Sequence, residues 1–130
     1  MSFTDHLETR ALGLLFTGDA ISRPTAWFAA LFVSTTAPGD TGGGSEVSFV
    51  NTGYVRRPIA FSVAGNLATN IAAIEWPTAT GDWGNITHMA VFDADTGGNM
   101  LVHAVLSASK NIASGDVLRI PAGDLDITLD

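Results

Sequence analysis

The 130-residue chain contains no cysteine, which rules out disulfides, thiolate nucleophiles and cysteine-ligated zinc or iron–sulfur centres. Its stability must come from packing or from association with other chains. Charge is scarce as well. Asp, Glu, Lys and Arg make up 15% of the residues against 46% apolar, a low fraction for a surface that meets water on all sides. That shortage points to surface covered by other subunits. The net charge is −7, and the five arginines and Lys110 are scattered apart from the adjacent Arg56 and Arg57. Nonspecific nucleic-acid binding needs clustered cations that displace counterions from phosphates, so no nucleic-acid partner is expected. The longest apolar run, Ala26 to Val33, falls well short of the roughly 20 residues that cross a bilayer. The opening Met1-Ser2-Phe3-Thr4-Asp5 lacks the basic region and apolar core of a secretory signal. A soluble chain with no membrane partner is the expectation.

A chain of this length can bury one core, and no repeat or composition shift divides it, so we expect a single domain over residues 1–130. Ser2 followed by Asp5 resembles a capping box. Phe3, Leu7, Ala11, Leu14 and Leu15 then recur at helical spacing, with Gly18 as a stop. This predicts one amphipathic helix over 3–16, with Gly13 as a weak point.

From residue 26 onward the period becomes two and the punctuation becomes Gly, Pro, Asn and Asp, as in short strands joined by turns. Ala26 to Val33 is apolar on both faces and reads as a central strand covered on both sides. Ser34 to Glu46, rich in glycine, reads as a mobile loop. Tyr54 to Val63, with Val55, Ile59, Phe61 and Val63 among its apolar positions, and Ile71 to Trp76 read as strands. Ile86 to Phe92 and Met100 to Leu106 read as a hairpin around the Asp93 to Asn99 loop. Val117 to Ile120 and Leu125 to Leu129 complete the set. In the last, Leu125, Ile127 and Leu129 point inward, and Asp124, Asp126, Thr128 and Asp130 outward. The expected fold is mainly β, an antiparallel β-sandwich or its jelly-roll variant, carrying one N-terminal helix.

Sites for chemistry are few. No two of His6, His88 and His103 stand at a spacing that makes a local metal or acid–base pair; His88 and His103 could meet across adjacent strands, where structural histidines are the expectation. Asp93, Asp95 and Gly98 resemble the start of a calcium loop. However, Gly97 and Ala104 stand where later ligands are required, so an aspartate-rich turn is expected. The ten aspartates and three glutamates fall mainly in turns and on one strand face, as solvated surface does. No serine sits in a nucleophile elbow and no glycine loop carries a phosphate-binding lysine. We expect no catalytic residues, no metal and no cofactor. Trp83, flanked by Gly81, Asp82 and Gly84, has room to project, either into subunit packing or as a platform for a sugar.

The segments Trp76 to Gly84, Ile86 to Asp93, Thr96 to Asn99, Lys110 to Asp116, Leu118 to Gly123 and Leu125 to Leu129 resemble a family of small tailed-phage virion proteins commonly labelled tail-fibre-like. The N-terminal helix and Gly53-Tyr54-Val55-Arg56 resemble it too. The resemblance implies a non-enzymatic virion subunit assembled in the host cytoplasm, on the head or the tail. The chain has neither the repeats nor the long heptads of a fibre shaft. A compact, charge-poor domain suits a capsid decoration or cement subunit on the major capsid protein. The alternative is a fibre-associated knob or adaptor, or a module for a host surface glycan. The expected partners are further copies, as a homotrimer, and other virion proteins. The expected interface residues are Trp27, Phe28, Phe32, Tyr54, Arg56 and Trp83. Arg56 and Arg57 point to opposite faces, and Arg56 is expected to meet an aspartate of a neighbouring subunit.

Overall fold

In the computed structural model, which describes residues 1–33 and 35–129, a two-residue strand β1 (Ser2–Phe3) precedes helix α1 (Asp5–Phe16). Ser2 is therefore not the cap. Thr4 takes that place: its hydroxyl accepts from the Leu7 amide and donates to the Met100 carbonyl at 2.6 Å, so one side chain starts the helix and ties it to the sheet. Asp5 and Glu8 in the first turn complement the helix dipole. At the other end Gly18, with φ +84°, lets the amides of Thr17 and Asp19 both reach the Gly13 carbonyl. Gly13 lies beside the Asp19 side chain: a Cβ there would lie 2.6 Å from a carboxylate oxygen, and the exposed carboxylate would have to swing aside.

Strands β2 (Trp27–Val33), β3 (Arg57–Ile59), β7 (Gly84–Phe92) and β8 (Met100–Ile112) join β1 in a five-stranded antiparallel sheet of order β1-β8-β7-β2-β3. A second sheet has the order β10-β5-β4, made of β4 (Phe61–Ala64), β5 (Leu67–Asn70) and β10 (Asp126–Thr128). The two-residue strands β6 (Ile74–Glu75) and β9 (Arg119–Ile120) pair with each other. The protein is thus mainly β, with antiparallel sheets and one short N-terminal helix. Ala29, Leu31, Met89 and Val91 of the large sheet share one core with Ile74, Trp76, Leu118 and Leu125 from the smaller elements. That layering is what a sandwich requires. The finer jelly-roll reading is not carried by this strand order.

Several expected strands are shorter or divided. The stretch 54–63 breaks at Ala60, where the chain leaves the large sheet for the second one. Ile59 is therefore buried while Val55 and Val63 are exposed. Pro58 is tolerated because β3 is an edge strand. Ile71 is also exposed: β5 ends just before it at Asn70, and only Ile74–Glu75 of the expected 71–76 strand pairs, as β6. Asn70 is buried: it donates to the Ala72 and Pro121 carbonyls and accepts from the Gly123 and Leu125 amides, so one amide side chain ties its own stretch to residues 121–125. Leu125 is buried as expected, but Leu129 is exposed, and Asp130 lies outside the described residues.

Strand β2 is buried on both faces by its own chain. Ala29 and Leu31 face the main core, whereas Ala30 and Phe32 form a second cluster with Ala90, Phe92 and Met100. The loop that follows is the cover. Val33 donates to Ser45, Ser45 to Thr36, and Phe32 bridges Glu46, so the loop expected over 34–46 is hydrogen-bonded to itself and to β2 within residues 35–46; residue 34 lies outside the described residues. Gly44, with φ +93°, brings the backbone so near Phe32 that a Cβ would fall 3.0 Å from its ring and closer still to Pro38. The two-faced strand therefore supplies no argument for a neighbouring subunit.

Candidate interaction surface

Of the six expected interface residues, four lie inside the protomer. Phe32, Tyr54, Arg56 and Trp83 are all buried, whereas Trp27 and Phe28 are half-buried, Trp27 meeting Phe61 edge-on. Trp83 does not project. Its indole N–H donates to the Thr52 carbonyl at 2.8 Å and its ring packs edge-on to Tyr54, with ring centres 5.4 Å apart. Gly81 serves that packing, because a Cβ there would collide with the Asn51 carbonyl. The small flanking residues leave room for backbone rather than for an exposed indole, so Trp83 is no sugar platform.

Arg56 finds its carboxylate at home, not in a neighbour. Its Nε and Nη2 donate to the two oxygens of Glu46, each at 2.8 Å, while Nη1 donates to the carbonyls of Ala94 at 2.9 Å and Gly97 at 2.8 Å. The guanidinium lies 3.6 Å above the Phe92 ring centre. Tyr54 completes the clamp by donating its hydroxyl to Glu46 at 2.8 Å and accepting from the Leu31 amide at 3.0 Å. Burial pushes the Tyr54 hydroxyl far above its ordinary pKa, and the Glu46 carboxylate adds to the rise. The sequence placed Arg56 at a charged, desolvated contact but missed Glu46, which is ten positions away at the end of a glycine-rich loop. Arg57 is half-buried and forms no ion pair among the described residues.

The remaining candidates for chemistry are engaged structurally. Asp93 accepts the Asn99 amide at 2.7 Å and the Asn99 side chain at 3.0 Å, closing the β7–β8 hairpin. Desolvation pushes its carboxyl up, but the Asn99 hydrogen bonds and nearby His6 outweigh it, so it titrates below the usual value. His88 and His103 do reach one shallow pocket, beside Pro38 and Val105. There His103 bonds Asp40 at 2.9 Å and His88 bonds Thr87 at 2.9 Å. Among the described residues no three His, Asp or Glu side chains cluster as metal ligands, and no helix is long and apolar enough to cross a membrane.

Part of the exposed apolar surface lies on α1, whose expected apolar stripe included Leu14 and Leu15. Leu12, Leu14, Leu15 and Phe16 of α1 are 58%, 56%, 71% and 76% exposed. Helical geometry puts Leu12, Leu15 and Phe16 on one side of α1, facing water, whereas Leu7, Ala11 and Leu14 line an open groove against residues 21–25 and Leu101.

The pattern of one protein family, described as podophage GP4 fiber I protein gp80, matches residues 2–128. The chain belongs to the Gp80 family. It is therefore a virion-associated structural protein of a bacteriophage, in keeping with the tail-fibre-like resemblance that runs along nearly the whole chain. No curated protein matches the chain.

Proposed function

We propose that this Gp80-family chain is a non-catalytic subunit of the phage fibre apparatus, a compact knob or adaptor. It works by packing against further copies and against other virion proteins. The observation that carries this reading is the exposed α1 stripe of Leu12, Leu15 and Phe16, which a lone protomer leaves in water. The family description favours the fibre over capsid decoration, and the absence of repeats favours a knob or adaptor over a shaft. A glycan-binding role has lost the indole that suggested it. The absence of catalysis is supported by the engagement of Asp93, His88 and His103 in local hydrogen bonds. Antibody labelling of intact virions, viewed by electron microscopy, tests the placement. Label on the fibres or tail supports it, whereas label coating the head would replace it with decoration of the major capsid protein.

A further inference from the structure

The chain carries six cations against thirteen acidic residues, so a surface of unpaired cations runs against its overall charge. Arg56 is spent on Glu46. Arg10 and Arg23 both line the groove between α1 and residues 21–25, and neither forms an ion pair among the described residues. The one carboxylate of the groove, Asp93, has both oxygens bonded to Asn99 and lies near His6. The groove is therefore a cationic place on an acidic molecule. Guanidinium groups in that setting favour carboxylates, because each presents a planar fork of donors that matches the two carboxylate oxygens.

Between the arginines the groove is aliphatic. Leu7 and Leu14 of α1 form one wall and Ile21 and Pro24 the other, enclosing about 630 Å³, within the range of binding sites. No Phe, Tyr or Trp lines it, so it offers no stacking surface to a sugar ring or a nucleobase. The net charge of −7 opposes nucleic acid as well. The second wall also has backbone to share. Among the described residues no hydrogen bond uses the amides or carbonyls of 21–25, so these groups are open to pair with a second backbone.

We propose that the groove receives a short acidic and aliphatic peptide segment of a different virion protein. Its aliphatic side chains lie between Leu7, Leu14, Ile21 and Pro24, and its carboxylates meet Arg10 and Arg23. Charge complementarity sets the sign of the occupant and orients it along the groove. The unused backbone of 21–25 favours a peptide over a lipid chain, which would leave those groups unpaired. This deepens the reading that the chain packs against other virion proteins, by naming where one of them docks and what it brings.

A photo-crosslinking residue in place of Leu14, which is 56% exposed, tests it in intact virions, with one in place of Phe16 on the stripe as the comparison. Mass spectrometry should find the Leu14 position joined to a segment of another virion protein that carries Asp or Glu beside aliphatic residues. That segment, made as a peptide, should bind the parent chain, and should bind Arg10→Gln with Arg23→Gln at least about tenfold more weakly. Circular dichroism checks that the variant folds. Added salt should weaken binding to the parent chain in the same direction, a readout that needs no variant. A crosslink from the Leu14 position to a segment without carboxylates, to a second copy of this chain or to no protein at all would overturn the proposal. So would equal affinity of variant and parent, or binding indifferent to salt. Crosslinking from the Phe16 position alone would overturn the groove and leave the packing reading intact, whereas silence at both positions in virions that contain the chain would overturn both.

Discussion

Replacing Arg56 by methionine keeps an unbranched chain over the Phe92 ring but deletes every guanidinium donor of the clamp. The side chains of Arg56 and Glu46 are 5% and 17% exposed, so the pair is largely withdrawn from water. Breaking such a pair from one side costs about 3–5 kcal/mol, mostly the penalty of a carboxylate left without its cation. Glu46 retains the Tyr54 hydroxyl and some contact with solvent, and the carbonyls of Ala94 and Gly97 lie in a loop that water can reach, so the lower end applies. We expect a loss of about 3 kcal/mol, a large share of the roughly 5–15 kcal/mol typical of a domain. Urea unfolding at neutral pH measures it as a fall in midpoint. Arg56→Lys should recover only part, because an ammonium cannot span both Glu46 oxygens and both carbonyls. Arg56→Met combined with Glu46→Gln should cost less than the sum of the single changes by at least about 1.5 kcal/mol. Arg57→Met should stay within about 0.5 kcal/mol of the parent. A loss below about 1 kcal/mol for Arg56→Met, or a strictly additive pair, would refute the clamp.

Tyr54 is the only tyrosine, so tyrosinate absorbance reports it alone. Its folded-state pKa lies far above the ordinary 10.0; the folded state therefore holds a proton that the unfolded chain releases, and the Tyr54 contribution to stability should be constant below pH 10 and fall above it. Ionisation should coincide with alkaline unfolding seen by circular dichroism; tyrosinate appearing while the fold is intact would contradict the burial. Asp93 has the opposite sign. Its pKa is lowered from 3.8, so its contribution is present above that pH and lost as pH falls below it, and Asp93→Asn should flatten the acid limb of the stability curve. Gly81→Ala should cost about 1–3 kcal/mol by driving a Cβ into the Asn51 backbone; an unchanged melting temperature would show that the loop yields. EDTA should leave melting unchanged, and a drop reversed by calcium would show that Asp93 and Asp95 are ligands after all.

What could be read from sequence followed local periodicity. The helix, the two-faced strand β2 and the hairpin of β7 and β8 were legible because each spans enough residues for its apolar pattern to repeat. The breaks were not. Ala60 separates β3 from β4 because the chain changes sheets there, and an alternating pattern does not reveal which sheet receives it. Thr4 displaced Ser2 as the cap because its hydroxyl has a second partner in β8, a contact spanning 96 positions. Leu15 was grouped with Leu7, Ala11 and Leu14, and Leu12 and Phe16 were left out, because hydrophobicity is the same whether the cover is intramolecular or another chain. Arg56 was legible as a residue needing a carboxylate, but the choice of Glu46 depends on the path of residues 35–46, which a glycine-rich stretch does not encode in its periodicity.

The most direct test of the account is an asymmetric cryo-EM reconstruction of the virion, with this chain fitted into density. The account predicts copies within the fibre apparatus, with Leu12, Leu15 and Phe16 of each covered by another virion chain. Copies found only on the head shell, or fibre-bound copies whose α1 stripe faces open solvent, would contradict it.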